Sequence, residues 1–462
     1  MTIWTPDLET RSGPRYLALA DAIEQDVACG ALPDGARLPA QRDLAFRLGV
    51  TVGTVSRSYA LVAARGLVSG QVGRGTFVRA RETAPRVNPI DDGHEGLIKL
   101  TVNAPPDPAY RAVLGRGLAE LAANPAALQD LLSYTPKQGL ADHRAAAAGW
   151  IGALGIDAQA DQVILTGGAH QALFATLAGL ASPGEGVLIE GLTYAGLCHI
   201  AERAHLRLRG LALDAEGLVP DALDAACRAE PARLLVLNPT AHNPTTATMS
   251  LARRQEIVAL ARAHDLIVIE DDVYGRLPEQ RPPPIAALAP ERTIYITSAS
   301  KSVAPGLRLG MLWSPQPYLR PIAEAQHDLF LTCPPLMAEL FKLWVGDGTA
   351  RQLARRQSVE ARARQELARQ ILGPRTYHAQ PASYHIWLPL PPPWRTSQFV
   401  AAARERGVAV DPGAAFAIDR AQAPHAVRVS LSAATSRERL RQGLEILALL
   451  LDAPPARGRE VI

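Results

Sequence analysis

The run Ile296-Thr297-Ser298-Ala299-Ser300-Lys301-Ser302-Val303-Ala304-Pro305-Gly306-Leu307-Arg308-Leu309-Gly310 decides how the rest of the chain is read. The protein holds 48 Lys and Arg residues, and only four are lysine: Lys99, Lys137, Lys301 and Lys342. Bulk positive charge is written as arginine, so a position that stays lysine points to chemistry a guanidinium lacks. A primary amine loses its proton and forms an imine with an aldehyde; a guanidinium, with a pKa above about 12, does not. Lys301 follows the β-rich run Thr293 to Thr297, sits among small hydroxyl residues, and has Arg308 seven positions on. The segment fits a Schiff-base lysine with a phosphate-binding arginine. Read alone, it also fits a surface lysine in a Ser/Gly loop.

From Ile98 onward, short apolar runs alternate with amphipathic helices. Val163-Ile164-Leu165, Gly186 to Ile189, Leu234 to Leu237, Leu266 to Ile269 and Thr293 to Ile296 are nearly continuous in apolar residues. Such runs suit strands buried on both faces of a mostly parallel sheet. Ligands of open α/β sheets bind beyond the carboxyl ends of the strands, and each run ends in a polar cluster. Thr166-Gly167-Gly168-Ala169-His170-Gln171 opens a helix and fits an anion site or a plain glycine turn. Glu190-Gly191-Leu192-Thr193-Tyr194 offers an aromatic platform or mere packing. Asn238-Pro239-Thr240-Ala241-His242-Asn243 offers a donor to a phenolate, or a turn. Glu270-Asp271-Asp272-Val273-Tyr274 puts acids at a strand end, where they need partners; a pyridinium nitrogen, magnesium or a helix cap would each serve. Downstream, Arg428 lies mid-strand in Ala426-Val427-Arg428-Val429-Ser430 and requires a carboxylate, either a ligand's or an internal one.

Residues 12–79 read as a separate unit. An amphipathic helix spans about Tyr16 to Cys29; two short helices follow, Ala40 to Leu48 and Thr51 to Arg65, with Gly49 between them as the joint of a helix-turn-helix. Leu67-Val68-Ser69 and Thr76-Phe77-Val78, joined at Gly73-Arg74-Gly75, form the hairpin of a winged helix. Positions 40–79 carry six arginines (42, 47, 57, 65, 74 and 79) against one acid, Asp43. A solvated helical face would look similar, but these arginines fall on the second helix, the third helix and the hairpin tip, the elements that meet DNA in winged-helix docking. Arg42, Thr51, Thr54, Arg57 and Arg74 are the expected DNA contacts. Residues 80–97, with Pro85, Pro89 and Gly93, read as a linker.

The whole chain has 462 residues, 48% hydrophobic and 20% charged, with a formal net charge of +3. That is room for two or three domains and excludes a generally polybasic protein. No apolar run reaches the roughly 18 residues of a membrane span, and the start, Met1 to Asp7, lacks the form of a signal peptide. Cys29, Cys198, Cys227 and Cys333 are far apart with no C-x-x-C, which argues against a disulfide scaffold or a zinc site and suits a reducing cytoplasm. No metal site is expected.

The order of the clusters resembles the fold-type I pyridoxal-phosphate (PLP) enzymes of the class I aminotransferase group, over roughly residues 98–455. The resemblance implies an α/β fold with a mostly parallel central sheet, a large part at about 138–346 and a smaller C-terminal α/β part at about 347–455. It implies PLP as cofactor, with Lys301 as its imine lysine, Asp271 on the pyridine nitrogen, Tyr274 and Asn243 on the ring oxygen and Tyr194 stacked on the ring. Phosphate contacts would come from Gly168, Ala169, His170, Ser298, Ser300 and Arg308, and from Tyr134 of a partner subunit. Arg428 would take an α-carboxylate. Thr246 and Ala104 stand where many members carry glycine, which leaves the substrate pocket's shape open. Residues 14–79 resemble the GntR-type winged helix through Leu38-Pro39-Ala40-Gln41-Arg42-Asp43-Leu44-Ala45 and Gly73 to Val78. A GntR-like head on an aminotransferase-like body resembles the MocR group of bacterial transcriptional regulators. This implies a homodimer that binds operator DNA and senses an amine, an amino acid or a vitamin B6 vitamer; the alternative is a working aminotransferase with an appended DNA-binding domain.

Overall fold

Gly49 lies at φ +61° and ends helix α2 (Gln41–Leu48) in the left-handed region, where an L side chain costs roughly 1–2 kcal/mol. Its N–H closes on the carbonyls of Ala45 and Phe46, and α3 (Val52–Ala64) begins after Val50 and Thr51. Helix α1 (Arg15–Ala28) packs against α3, as α2 does. Leu19, Ile23, Leu44, Val55, Tyr59 and Val62 form their shared core. Two polar links pin it: Ser58 Oγ donates to the Tyr16 carbonyl at 2.8 Å, and the Tyr59 hydroxyl donates to the Pro39 carbonyl at 2.8 Å. Strands β1 (Val68–Gln71) and β2 (Gly75–Val78) pair antiparallel and close the unit with Val68 and Val78.

The computed structural model describes residues 4–6, 8, 13–28, 31–33, 35–64, 67–71, 75–78, 96–124, 128–129 and 131–453, in two units, 1–91 and 92–462. The expected DNA contact Arg74 and nearly all of the expected linker 80–97 lie outside the described residues.

The second unit is built on a seven-stranded sheet. Its strands are β4 (Val163–Thr166), β5 (Gly186–Glu190), β6 (Arg207–Leu211), β9 (Leu234–Leu237), β10 (Ile267–Asp271), β11 (Thr293–Ser298) and β12 (Gly310–Trp313), in the order β4-β12-β11-β10-β9-β5-β6. Between β6 and β9, the chain makes the small hairpin β7 (Leu213–Asp214) and β8 (Gly217–Leu218). All pairs are parallel except those of β12, which runs antiparallel to both β11 and β4. The five apolar runs became β4, β5, β9, β10 and β11. Their side chains are buried on both faces, against two separate clusters of helices for β5, β9 and β10. The edge strand β6 is not one of the apolar runs because it is only partly buried, with Arg207 and Arg209 among its five residues.

A smaller sheet of β13 (His385–Pro389), β16 (Ala426–Ser430) and β15 (Asp411–Pro412) is antiparallel, in the order β13-β16-β15. The strand β3 (Ile98–Lys99) pairs with β14 (Val408–Ala409). Ile98 and Leu100 share a core with Phe399, Val427, Leu440 and Leu444. The residues that open the second unit thus pack with those that close it. No helix among the described residues is long and apolar enough to cross a membrane.

Candidate cofactor site and DNA-reading surface

Five clusters converge because parallel strands end on one edge. β12 adds a sixth element: it runs the other way, so its first residues lie at the ends of its neighbours, with Gly310 opposite both Ser298 and Thr166. That reversal brings Arg308 to the start of the helix Ala169–Leu180. Gly168 caps this helix at φ +115°. A Cβ on Gly168 would lie 2.6 Å from Arg308 Nη2, and one on Gly310 would lie 2.5 Å from the Gly168 carbonyl carbon. The Gly310 position needs glycine for close approach to backbone, and the Gly168 position for its positive φ. Arg308 itself is left-handed at φ +46°, and donates to Ser300 Oγ at 3.4 Å and to the Gly167 carbonyl at 3.1 Å. Ser298 caps the short helix Ala299–Ser302 and accepts from the Ser300 N–H. A helix start with unpaired N–H groups, an arginine and two hydroxyls together make an anion cradle. Ala169 and His170 form its first turn, and the His170 ring meets Tyr194 edge-on at 6.1 Å.

Strand alternation sorts the three acids. Glu270 and Asp272 face one way. Glu270 accepts from the N–H groups of Ile285 and Ala286 at 3.1 and 2.9 Å, beside the fully buried Arg254. Asp272 pairs with Arg281 at 2.5 Å and accepts from the Tyr295 hydroxyl at 2.7 Å. Asp271 faces the other way, into the site, and its buried Oδ1 has no hydrogen-bond partner. Loss of water and then the Asp272 charge push its carboxyl up to about 7. The Val273 N–H gives the carboxylate one hydrogen bond, but an unsatisfied buried oxygen costs about 1–3 kcal/mol; a protonated ring nitrogen would fill that place.

Lys301 Nζ donates to the Asn103 carbonyl at 2.6 Å. Loss of solvent, then Arg428 and Arg308, bring its ammonium down to about 8, against the pull of Asp271. Tyr274 is buried, accepts from Asn103 Nδ2 at 2.9 Å and is pushed up to about 12 by burial, so it stays a neutral hydroxyl. Asn243 uses its amide oxygen to accept from Arg428 Nη1 at 2.7 Å, which leaves the NH2 end to donate. Tyr194 is 40% exposed; burial and Asp271 raise its phenol, while Arg308 and Arg428 oppose the shift. Arg428 has an internal carboxylate: Asp411 Oδ2 lies 2.6 Å from Nη2. Tyr134 is 97% exposed.

The sequence reading did not single out Asn103, Tyr384, His385 or Asp411. Asn103 Nδ2 bridges Tyr274 and His385 Nδ1, and the Tyr384 hydroxyl donates to the Lys301 carbonyl at 2.5 Å. Only Asp411 left a trace in the sequence: an acid ending the apolar run Val408-Ala409-Val410, the counterpart of an arginine inside another.

On the N-terminal unit, Thr51 Oγ1 accepts from the Thr54 N–H at 3.2 Å and caps α3, with the two hydroxyls 2.9 Å apart. Arg42, Thr51 and Arg57 are exposed and Thr54 is half-buried. The Arg57 guanidinium lies 4.3 Å from the centre of the Tyr16 ring.

Residues 15–78 match the gntR family of bacterial regulatory proteins, and residues 95–447 match the class I and II aminotransferases. The HTH-type transcriptional regulator YdeF of Bacillus subtilis, described as uncharacterized, is 31% identical over 97% of both chains. The chain belongs to the MocR-type regulators. PdxR of Corynebacterium glutamicum, an HTH-type pyridoxine biosynthesis transcriptional regulator, is 28% identical over 77% of this MocR-type chain and 78% of its own. LysN, the alpha-aminoadipate aminotransferase of Thermus thermophilus, solved with N-(5'-phosphopyridoxyl)-L-leucine, has 26% identity and a TM-score of 0.71 over 78% of this chain and 92% of that one. The second unit thus has the fold of PLP-dependent aminotransferases, and the first a GntR-type DNA-binding fold.

Proposed function

We propose that this protein is a homodimeric, PLP-dependent transcriptional regulator whose winged helix binds operator DNA and whose second unit senses a primary amine, an amino acid or a B6 vitamer. The observation that carries it is Asp271: an inward-facing carboxylate with one unpartnered oxygen, near a lysine amine of lowered pKa, in a chain that also has a GntR-type head. PLP, when bound, supplies an aldehyde and an electron-withdrawing ring. Gly168, Ala169, His170, Ser298, Ser300 and Arg308 would hold its phosphate, Asp271 its ring nitrogen, and Asn243 and Tyr274 its ring oxygen. Tyr194 would cover the ring, and Tyr134 would reach the phosphate site of the partner subunit. Lys301 Nζ gives up its proton within reach of neutral pH and so is available as a nucleophile. A primary-amine effector would compete with Lys301 Nζ for that aldehyde, and the freeing of the lysine side chain would be the change that the protein reads. Pyridoxine biosynthesis in the name of PdxR supports including B6 vitamers among the effectors.

Arg42, Thr51, Thr54, Arg57 and Arg74 would contact DNA, with α3 as the recognition helix. The test is titration of amines, amino acids and PLP into apo-protein, with and without an operator fragment selected from a random DNA pool. The reading requires a ligand that changes DNA affinity. If none does, while the protein turns over amino acids at ordinary enzyme rates, it is an aminotransferase with an appended head.

A further inference from the structure

Both Nη groups of Arg428 are already engaged. It lies on the central strand β16, directly opposite Asp411 on β15 and Trp387 on β13. Opposed residues of an antiparallel pair project to the same face, so the register itself sets Asp411 against Arg428. Nη2 donates both to Asp411 Oδ2, at 2.6 Å, and to the Thr101 carbonyl. Nη1 donates to Asn243 Oδ1 at 2.7 Å, and the guanidinium lies 4.6 Å from the Phe416 ring centre. Arginine has five N–H bonds, one on Nε and two on each Nη. A carboxylate is gripped bidentately through Nε with Nη2, or through Nη1 with Nη2. Both forks need an Nη2 hydrogen, and Thr101 and Asp411 take the two there are. The buried Nε–H has no partner, but alone it gives one bond instead of a fork.

Charge points the same way. Arg428 and Asp411 are 7% and 5% exposed and neutralise one another. A ligand carboxylate would enter as the second anion against one arginine, and a buried anion without its own counter-charge is strongly disfavoured. An amine without a carboxylate meets no such penalty.

We infer that Asp411 sets the ligand class of this site: by occupying Arg428, it selects primary amines without an α-carboxylate over α-amino acids. This rests on the PLP reading above and narrows its effector. Only a ligand that displaces Asp411 gains the arginine.

The experiment uses PLP-loaded full-length protein and a matched pair, ethylamine and L-alanine, which differ only by the carboxylate. Dissociation constants come from the visible absorbance of the bound cofactor and, independently, from calorimetry. The readout is the alanine-to-ethylamine affinity ratio, so that differences in amine basicity cancel between variants. Asp411→Ala should raise the ratio about tenfold or more, the worth of a charge-assisted hydrogen-bonded pair. Asp411→Asn, isosteric and still able to accept from Arg428, should raise it in the same direction and covers the case in which the alanine variant fails to fold. Adding Arg428→Ala to either should remove the gain, which a general loosening of the pocket would not. PLP-loaded variants with an unchanged ratio overturn the inference and leave the cofactor reading intact. A wild-type protein that takes up no PLP overturns both.

Discussion

Lys301 and Asp271 are the residues whose titration differs most usefully from that of free side chains. An ordinary lysine has a pKa of about 10.4, so its nucleophilic fraction keeps growing up to that pH. With Lys301 brought down to about 8, the rate of PLP uptake by apo-protein should rise with pH and level off above about 8. Borohydride should then fix PLP to Lys301, and Lys301→Arg, which keeps the charge but not the amine, should abolish fixation; a variant that still traps PLP covalently at this site contradicts the assignment. Asp271 shifts the opposite way. Its folded pKa of about 7 lies above the unfolded value of about 3.9. The group therefore favours the apo-protein at low pH, and that contribution is lost as pH rises through 7. Asp271→Asn should stabilise apo-protein at pH 8 by about 1–3 kcal/mol, with the difference vanishing towards pH 4, while it weakens PLP binding. Thermal unfolding across pH with and without PLP separates the two effects.

Whole elements carry the next predictions. The anion cradle depends on a helix start with no Cβ in the way, and a Cβ on Gly168 would lie only 2.6 Å from Arg308. Gly168→Ala also forces an alanine to φ +115°. It should lower PLP affinity about tenfold or more, because Arg308 must move from a charge-assisted contact, and equilibrium dialysis checks this. In the winged helix, arginines on separate elements should each add to the salt dependence of DNA binding. Alanine at Arg42, Arg57 and Arg74 together should reduce the slope of log affinity against log salt by up to about 3. Arg57, stacked on Tyr16, should contribute the least of those described. An unchanged slope would remove these residues from the interface.

Taken as one molecule, the proposed regulator would couple two ligands, and coupling in binding is reciprocal. If an effector changes operator affinity by a given factor, operator must change effector affinity by the same factor, with about 1–3 kcal/mol typical. Titrating each ligand in the presence and absence of the other measures both factors; unequal factors at equilibrium would mean a third linked process, such as dimer dissociation. Tyr134 belongs at this scale too. A tyrosine 97% exposed is hardly covered by the described residues, so Tyr134→Phe should leave stability unchanged. It should weaken PLP retention if the partner subunit's phosphate site uses its hydroxyl.

The sequence by itself determined the strands and the clusters at their ends. Continuous apolar runs have one stable solution, a sheet covered on both faces, and a polar residue after such a run lands on the ligand edge. Hence the sequence could put Lys301, Asp271, Asn243 and Gly168 after strand ends, and Gly49 at the joint between α2 and α3. Tertiary structure alone decided what meets what across long separations. Asn103 reaches Tyr274 across 171 positions, and Ile98 completes a core made by residues some three hundred positions later. Nothing local marks such pairs, because local patterns encode which face a residue shows and not what lies opposite. For Arg428 the sequence left two partners open, a ligand and an internal acid. The register of β15 on β16 supplied the acid, and with it the charge that an incoming ligand meets.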